Sequence, residues 1–220
     1  MEIIDNSALT PRYLPDDQVN MEGWHPDWVK SLILAQLRVE SATEEGTFQA
    51  AVRVLDHYQK MGVNAVWLTP IQDKGQTGNG YSNMGLHTVN PRLTGKDSYE
   101  ESWQVVKWFV DEAHRRNIRV YIDLIVWGTV KESPLVAEHP DWYKGFLNVW
   151  DGYKWNWYSE SLREWFCDWA VKIVMETGID GYRVDLEPFV TGHAMFAGLR
   201  KRLLSMGRKI SIFAECTSER

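Results

Sequence analysis

Cysteine, runs of positive charge and long apolar segments are all scarce in this sequence. Its two cysteines, Cys167 and Cys216, are too few for a disulfide scaffold and favour a reducing compartment. The net charge is −6 and no Lys/Arg-rich run occurs, which argues against nucleic acid or an anionic membrane as a partner. No stretch is apolar enough to span a bilayer, and residues 1–17 lack the apolar region of a signal peptide. We therefore expect a cytoplasmic protein that binds neither nucleic acid nor membrane.

Hydrophobic residues and tryptophan are abundant by contrast. Hydrophobic side chains make up 44% of the 220 residues, which is enough to bury a substantial core, and the length predicts one domain over residues 1–220. The 12 tryptophans have two interpretations, because flat indole faces suit sugar rings and also fill protein cores. Composition alone leaves both open.

Apolar runs and helical patterns alternate along the chain. The apolar runs predict five strands, at residues 31–39, 64–70, 118–127, 179–185 and 209–215. The amphipathic segments predict four helices, at 47–62, 98–117, 161–178 and 194–207. Strict alternation predicts an α/β fold whose parallel sheet is covered by helices. The two long loops, 71–97 and 127–160, follow strands directly, and α/β enzymes place their active sites at this edge of the sheet.

Charged residues occur at the ends of three predicted strands. In GIDGYRVDLEP, residues 178–188, Arg183 and Asp185 share one face of a strand, so Arg183 can keep the Asp185 carboxylate ionised. Asp123 lies late in the third strand and Glu215 ends the fifth. A single acid at a strand end is usually a helix cap or a turn residue, whereas three on successive strands favour a functional site. Two facing carboxyls, one neutral and one ionised, are what glycoside hydrolysis requires.

Several segments, in this order, resemble the alpha-amylase family, glycoside hydrolase family 13. The segment GTFQAAVRVLDHYQKMGVNAVWLTPI is similar to the first helix and second strand of that family, and GNGYSNMGLHTVNPRLTG is similar to the loop that follows. DEAHRRNIRVYIDLIV, GIDGYRVD and IFAE resemble its third, fourth and fifth strand motifs. The resemblance extends over nearly the whole chain, and the order and spacing of the motifs make it specific.

The resemblance implies a (β/α)8 barrel, of which this chain carries about the first five strands, and a retaining mechanism on α-glucosidic bonds. By position, Asp185 is the implied nucleophile and Glu215 the implied general acid and base. Arg183 orients Asp185 and keeps it charged, Tyr81 stacks on the sugar that is cleaved, and Asp123 supports the site from below. Adjacent strand ends can supply the carboxyl separation of about 5–5.5 Å that a retaining pair needs.

The chain departs from the family pattern after the third strand. The segment DLIVWGTV places Trp127 and Gly128 where family members carry an Asn-His pair. The Asn is often a calcium ligand and the His usually contacts the sugar. Calcium prefers several hard oxygen ligands, which an indole cannot provide. We therefore expect no calcium at this position and no other cofactor, and we include Trp127 with Tyr81 and Asp123 among the substrate-binding candidates.

The resemblance also implies three further strands and a third carboxylate after Glu215, but Arg220 is the last residue. Five strands cannot close an eight-stranded barrel, so we expect the 220-residue chain by itself to be inactive. Its two exposed sheet edges favour association with a second copy or with other sequence. Glu219 is not expected to replace the missing carboxylate.

Two classes of function remain. The first is an active glycosidase or transglycosidase on starch-like glucans or small α-glucosides, with carbohydrate as its partner. The second is a non-catalytic carbohydrate-binding or scaffold protein, which the Trp127–Gly128 departure favours. Joint retention of Arg183, Asp185 and Glu215 favours the enzyme, because buried charges are costly unless they are used. The aromatic segment WDGYKWNWY, residues 150–158, is either a sugar-binding surface or packing over the barrel rim.

Overall fold

A parallel β-sheet of five strands forms the centre of this computed structural model, which describes residues 25–76, 78, 80–185 and 194–215. The strands are β1 Leu34–Leu37, β2 Ala65–Leu68, β3 Arg119–Ile125, β7 Gly181–Asp185 and β8 Ser211–Ala214. They lie in the order β1-β2-β3-β7-β8, and every pairing is parallel. All five strands were predicted, but each is shorter than expected. The first begins only after a 3-10 helix, Asp27–Ser31.

Helices connect successive strands of this sheet. The long ones are α2 Phe48–Lys60, α4 Tyr99–His114, α6 Glu160–Thr177 and α7 Ala194–Ser205. The short ones are α1 Val39–Ala42, α3 Pro91–Thr94 and α5 Pro134–Glu138. The four long helices confirm the four predicted ones. Across the described part of the chain, no helix is both long and apolar enough to cross a membrane.

Local capping interactions explain why the long helices begin and end close to their predicted limits. The side chains of Thr47, Ser98 and Ser159 each accept a hydrogen bond from a backbone N–H in the first turn of the helix that follows. Ser98 also donates to the Glu101 side chain, so both residues of a capping box are present. At the other end of α6, Gly178 adopts φ 77°, a left-handed conformation that suits glycine.

Side chains on the strands alternate between a helix-covered face and an opposite face. Ile122, Tyr182 and Val184 are fully buried in the main core beneath the helices, and each such burial stabilises the fold by roughly 1.5–3 kcal/mol. The opposite face carries Asp123 and Arg183, which the register of β3 and β7 places side by side. The alternation predicted for GYRVD is therefore confirmed, and it brings charged groups together on one face.

A buried ion pair fixes the amino-terminal ends of β3 and β7. The Asp180 carboxylate accepts a hydrogen bond of 2.8 Å from the Val120 N–H, and the other described contacts are His114 Nε2 at 2.7 Å and Arg119 Nη1 at 3.4 Å. Burial alone would raise the pKa of Asp180, but His114, Arg119 and the Val120 N–H together hold it below its ordinary value. This pair helps to maintain the register that sets Asp123 beside Arg183 at the other end of the strands.

The segment after β3 contains a second sheet, which the sequence did not predict. Its strands are β4 Gly128–Val130, β5 Tyr143–Leu147 and β6 Gly152–Trp155, paired antiparallel in the order β4-β6-β5. The interpretation of 127–160 as a loop was therefore wrong. The strands are only three to five residues long, and β5 shows no alternation of buried and exposed residues. This segment therefore lacked the two-residue alternation from which its strands could have been predicted.

Candidate active site

The carboxyl-terminal ends of β3, β7 and β8 converge on one cavity of about 670 Å³. Five of the six predicted site residues are in or beside it: Tyr81, Trp127, Arg183, Asp185 and Glu215 line the cavity. The sixth, Asp123, is 1% exposed and lies beneath it, bonded to Tyr81 and Arg183. Glu219 lies outside the described residues. The structure thus brings together all the predicted site residues, although this alone does not assign their chemical roles.

Arg183 is the centre of the cluster. Its Nη1 donates to Asp123 Oδ1 at 2.8 Å and to Asp185 Oδ1 at 2.6 Å, and its Nη2 lies 2.8 Å from Glu215 Oε2. The guanidinium also lies 4.5 Å from the ring centroid of Trp67, a cation–π contact. One cation therefore contacts three carboxyl groups. Three carboxyls around one cation leave an excess of negative charge, which makes ionisation of the buried Asp123 and Asp185 costly.

The pKa values of the cluster reflect this excess of carboxyl groups. Burial raises the pKa of Asp123 to about 7, against the opposing effect of Arg183. Burial also raises the pKa of Asp185 to about 6; Arg183 lowers it, and Glu215 raises it by charge and by hydrogen bonding. Burial lowers the pKa of Arg183, but the two aspartates outweigh this effect, so Arg183 stays protonated. Proton exchange among these carboxyls is therefore possible near neutral pH, as acid–base catalysis requires.

Tyr81 is held in place by two predicted site residues. Its hydroxyl donates to Asp123 Oδ2 at 3.1 Å, and burial raises the pKa of Tyr81 well above its usual range. The Tyr81 backbone carbonyl accepts a hydrogen bond of 3.2 Å from Trp127 Nε1. Trp127 is only 2% exposed. Its role in this structure is to anchor Tyr81 and to form part of the cavity wall.

The second sheet gives a physical reason for Gly128. This residue begins β4 with φ 154°, and a side chain there would collide with the Tyr153 carbonyl of β6. A histidine at this position is therefore incompatible with the β4–β6 pairing. Gly152 is similarly confined, because an added Cβ would lie 2.9 Å from the Trp127 ring. The Trp-Gly sequence and the second sheet are thus parts of one local structure.

The two interpretations of the aromatic segment 150–158 apply to different residues. Trp155 and Trp157 are each 1% exposed, and Trp157 Nε1 donates to the Val126 carbonyl at 3.0 Å, so the packing interpretation is confirmed for these two residues. Trp150 instead lines the cavity with Asp185 and Glu215. Trp67 was not among the predicted site residues, although strand parity in β2 could have placed it on the face that carries Arg183.

The residues present do not fit a calcium ion at the position after β3. Trp127 offers an indole N–H there, already donated to Tyr81, and no side-chain oxygen. Among residues 25–76, 78, 80–185 and 194–215, no three His, Cys, Asp or Glu side chains are grouped as metal ligands.

Stability should fall as pH rises, because folded Asp123 and Asp185 hold protons that the unfolded chain releases. Their pKa values are raised from 3.8 to about 7 and about 6, so the stability present below pH 4 is progressively lost up to pH 7. Asp123→Asn cannot titrate, so the fall in melting temperature from pH 4.5 to pH 8 should be smaller by about 3 °C or more. Thermal unfolding across this range checks the difference. The exposed control Asp97→Asn should follow the unmodified protein; equal slopes in all three would contradict the prediction.

Comparison with known proteins places this chain in a family. The sequence model described as alpha amylase, catalytic domain, matches residues 20–145, more than half of the chain. The chain is similar to malto-oligosyltrehalose trehalohydrolase from Arthrobacter ramosus, 29% identical over 175 residues. It is also similar to trehalose synthase/amylase TreS from Mycobacterium tuberculosis, 24% identical over 211 residues. These matches cover 74% and 75% of this chain but only 28% and 34% of the relatives, so the chain spans about a third of their length.

Solved structures of similar fold agree with this family match. An alpha-amylase from Lactobacillus plantarum superposes with a TM-score of 0.73 at 21% identity, over 85% of this chain and 46% of that one. A maltogenic alpha-amylase from Thermotoga neapolitana gives a TM-score of 0.70 at 25% identity, over 86% of this chain and 46% of that one. The expected (β/α)8 barrel fold is confirmed, with five of its parallel strands among the described residues. On the family match, and in agreement with the fold, this chain belongs to the alpha-amylase family.

Proposed function

We propose that the protein is a retaining glycoside hydrolase or transglycosidase that acts on α-glucosidic bonds. The observation that carries this proposal is the contact of Asp185 and Glu215 with one guanidinium, at the floor of an open cavity. Family membership supports the reaction class. The names of similar proteins, among them a cyclomaltodextrinase and an oligo-1,6-glucosidase, support the α-glucosidic bond.

The closeness of the two carboxyls favours retention of anomeric configuration. Asp185 Oδ1 lies 2.6 Å from Arg183 Nη1 and Glu215 Oε2 lies 2.8 Å from Nη2 of the same guanidinium, so the two carboxyls are close together. An inverting enzyme needs about 6.5–9.5 Å between its carboxyls to admit a water molecule, whereas a retaining pair is about 5–5.5 Å apart. Two carboxyls that share one guanidinium are closer to the separation of a retaining pair than to that of an inverting pair.

Asp185 acts as the nucleophile in this proposal. Its carboxylate oxygen bonds to the anomeric carbon while the bond from that carbon to the leaving oxygen breaks, and Glu215 gives its proton to the leaving oxygen. In the second step, Glu215 takes a proton from water and the water oxygen displaces Asp185 from the anomeric carbon. A sugar hydroxyl in place of water gives transfer. Arg183 orients Asp185 and limits the increase of its pKa.

Tyr81 and Asp123 support the sugar site. Tyr81 lines the cavity and is tied to Asp123 through its hydroxyl, so its ring is positioned to stack on the sugar that is cleaved.

The non-catalytic alternative rested on Trp127 and Gly128. Pairing of β4 with β6 accounts for Gly128, which removes the main reason to infer lost catalysis.

The configuration of the first product tests the proposal. Incubation of a catalytically complete form that contains this chain with nitrophenyl α-maltoside, followed by proton NMR in the first minutes, should show release of the α-anomer. Initial release of the β-anomer would overturn the retaining mechanism. Absence of turnover by that form on this substrate, maltose and starch would overturn the enzyme assignment.

We also propose that no calcium is needed at the position after β3, because Trp127 offers no oxygen ligand there. Treatment with EDTA should leave the melting temperature within about 1 °C of the untreated value, a shift below the roughly 2–4 °C per kcal/mol expected for a domain of this size. Differential scanning calorimetry with and without added calcium checks this. A decrease of several degrees that calcium reverses would contradict it.

A further inference from the structure

The turn between β5 and β6 forms one wall of the catalytic cavity. All four of its residues, Asn148, Val149, Trp150 and Asp151, line the cavity that also contains Asp185 and Glu215. Neither the family match nor the proposed chemistry gives these four residues a role. Their presence beside the carboxyls raises the question of what the wall contacts.

The turn is held firmly at its base. The Trp150 N–H donates to the Leu147 carbonyl at 3.2 Å, and the Lys131 N–H donates to the Asp151 carbonyl at 3.0 Å. Lys131 Nζ also lies 2.7 Å from Asp151 Oδ2. These contacts hold both ends of the turn to β5 and to the residue that follows β4. A surface fixed in this way loses little conformational freedom when a ligand binds.

Trp150 has a rigid aromatic support on one side. Its ring centroid lies 5.0 Å from that of Trp127 with the planes tilted by 53°, and both rings pack in a small apolar cluster with Ile125 and Val130. Trp150 is only half-buried by these contacts, and the adjacent Val149 is 79% exposed. An apolar surface is therefore presented at a cavity whose floor is charged.

The cavity has room for more than the sugar that is cleaved. Its volume of about 670 Å³ is within the range of roughly 300–1,000 Å³ typical of sites that enclose a drug-sized ligand. Tyr81 also lines the cavity and is the expected contact of the cleaved sugar. Trp150 is a separate aromatic group on the turn between β5 and β6, so the two rings can contact different sugar units.

We propose that Trp150, supported by Trp127, stacks on a second glucose ring, next to the one that is cleaved, and that the substrates are α-linked glucosides of two or more glucose units. This inference rests on the proposed function. Pyranose rings present apolar C–H faces, which an indole ring binds well while its edge remains near water. The second sheet contains Trp-Gly where the family has an Asn-His pair. In this proposal, the second sheet adds sugar contacts beside the carboxyls.

Paired substrates test this subsite. In a catalytically complete form that carries Trp150→Ala, the KM for maltotriose should rise by about tenfold, the size expected for loss of one aromatic contact. The kcat/KM for α-glucosyl fluoride, which has one ring, should stay within about twofold of the value for the unmodified protein. Trp150→Phe should restore most of the maltotriose affinity. The control Tyr158→Ala, an aromatic residue that is 69% exposed away from the cavity, should change neither constant.

A binding measurement separates this inference from the proposed function. Calorimetric titration of maltotriose into Asp185→Asn, with and without Trp150→Ala, should show weaker binding when Trp150 is absent. If no variant turns over but maltotriose binding still depends on Trp150, the subsite stands and the proposed function fails. Unchanged maltotriose constants in folded Trp150→Ala, or equal losses on both substrates, would overturn the subsite. Circular dichroism of each variant identifies a folding defect, and the Trp150→Phe result then decides the outcome.

Discussion

The substitution Asp185→Asn is expected to lower kcat by roughly three to six orders of magnitude, since it removes the nucleophile from the proposed reaction. Asparagine has nearly the same volume as aspartate, and its amide oxygen can still accept the 2.6 Å hydrogen bond from Arg183 Nη1. The fold should therefore be preserved. An amide oxygen is a far weaker nucleophile than a carboxylate, so the covalent glycosyl-enzyme does not form. Initial rates of a catalytically complete form on nitrophenyl α-maltoside measure the loss.

Two comparisons make this prediction specific. Glu215→Ala should lose activity mainly on substrates with poor leaving groups, and added azide should restore part of the rate by attacking the glycosyl-enzyme in place of activated water. Asp185→Asn should not respond to azide, because it forms no such intermediate. The exposed Asp97→Asn should keep the unmodified rate. A near-normal rate for Asp185→Asn would show that the nucleophile is another group.

Much of this site was predictable because its residues lie in strands with clear periodicity. In β7, Tyr182 and Val184 alternate with Arg183 and Asp185, so parity alone placed both charged residues on one face. Gly178 ended the preceding helix as expected, which set the start of that strand. The roles proposed for these residues depended on family resemblance, because spacing shows that groups meet and not what they do.

The second sheet could not be predicted, since its determinants are contacts between distant residues. Gly128 looks like an ordinary turn glycine until β6 passes close enough to exclude a side chain. The same limit applies to Trp67. Its place in an apolar strand was visible, but its contact with Arg183 depends on how the sheet curves from β2 to β7. Likewise, only the burial of Trp155 showed that this residue of 150–158 packs in the interior and does not form a sugar-binding surface.

Removal of Arg183 should have the largest effect on stability. Arg183→Met leaves Asp123, Asp185 and Glu215 without the cation that each of them contacts, and loss of one partner from a buried ionic cluster typically costs about 3–5 kcal/mol. The cost should depend on pH. Arg183 lowers the pKa of both aspartates, so without it their pKa values rise further above 3.8. A raised carboxyl pKa in the folded state destabilises the protein as pH increases.

Urea unfolding of Arg183→Met should therefore show a large loss of stability at pH 8 and a much smaller one near pH 4, where Asp123 and Asp185 are largely protonated. The acidic limb of its kcat/KM profile should also shift to higher pH, because ionised Asp185 appears only there.

Arg183→Lys keeps the charge but not the planar fork that reaches separate carboxyls, so it should recover stability better than rate. Arg53→Met, which removes an exposed ion pair with Glu45, should change neither property. An equal loss of stability at both pH values would mean that Arg183 contributes packing and not charge, and its proposed effect on Asp185 would then have to be abandoned.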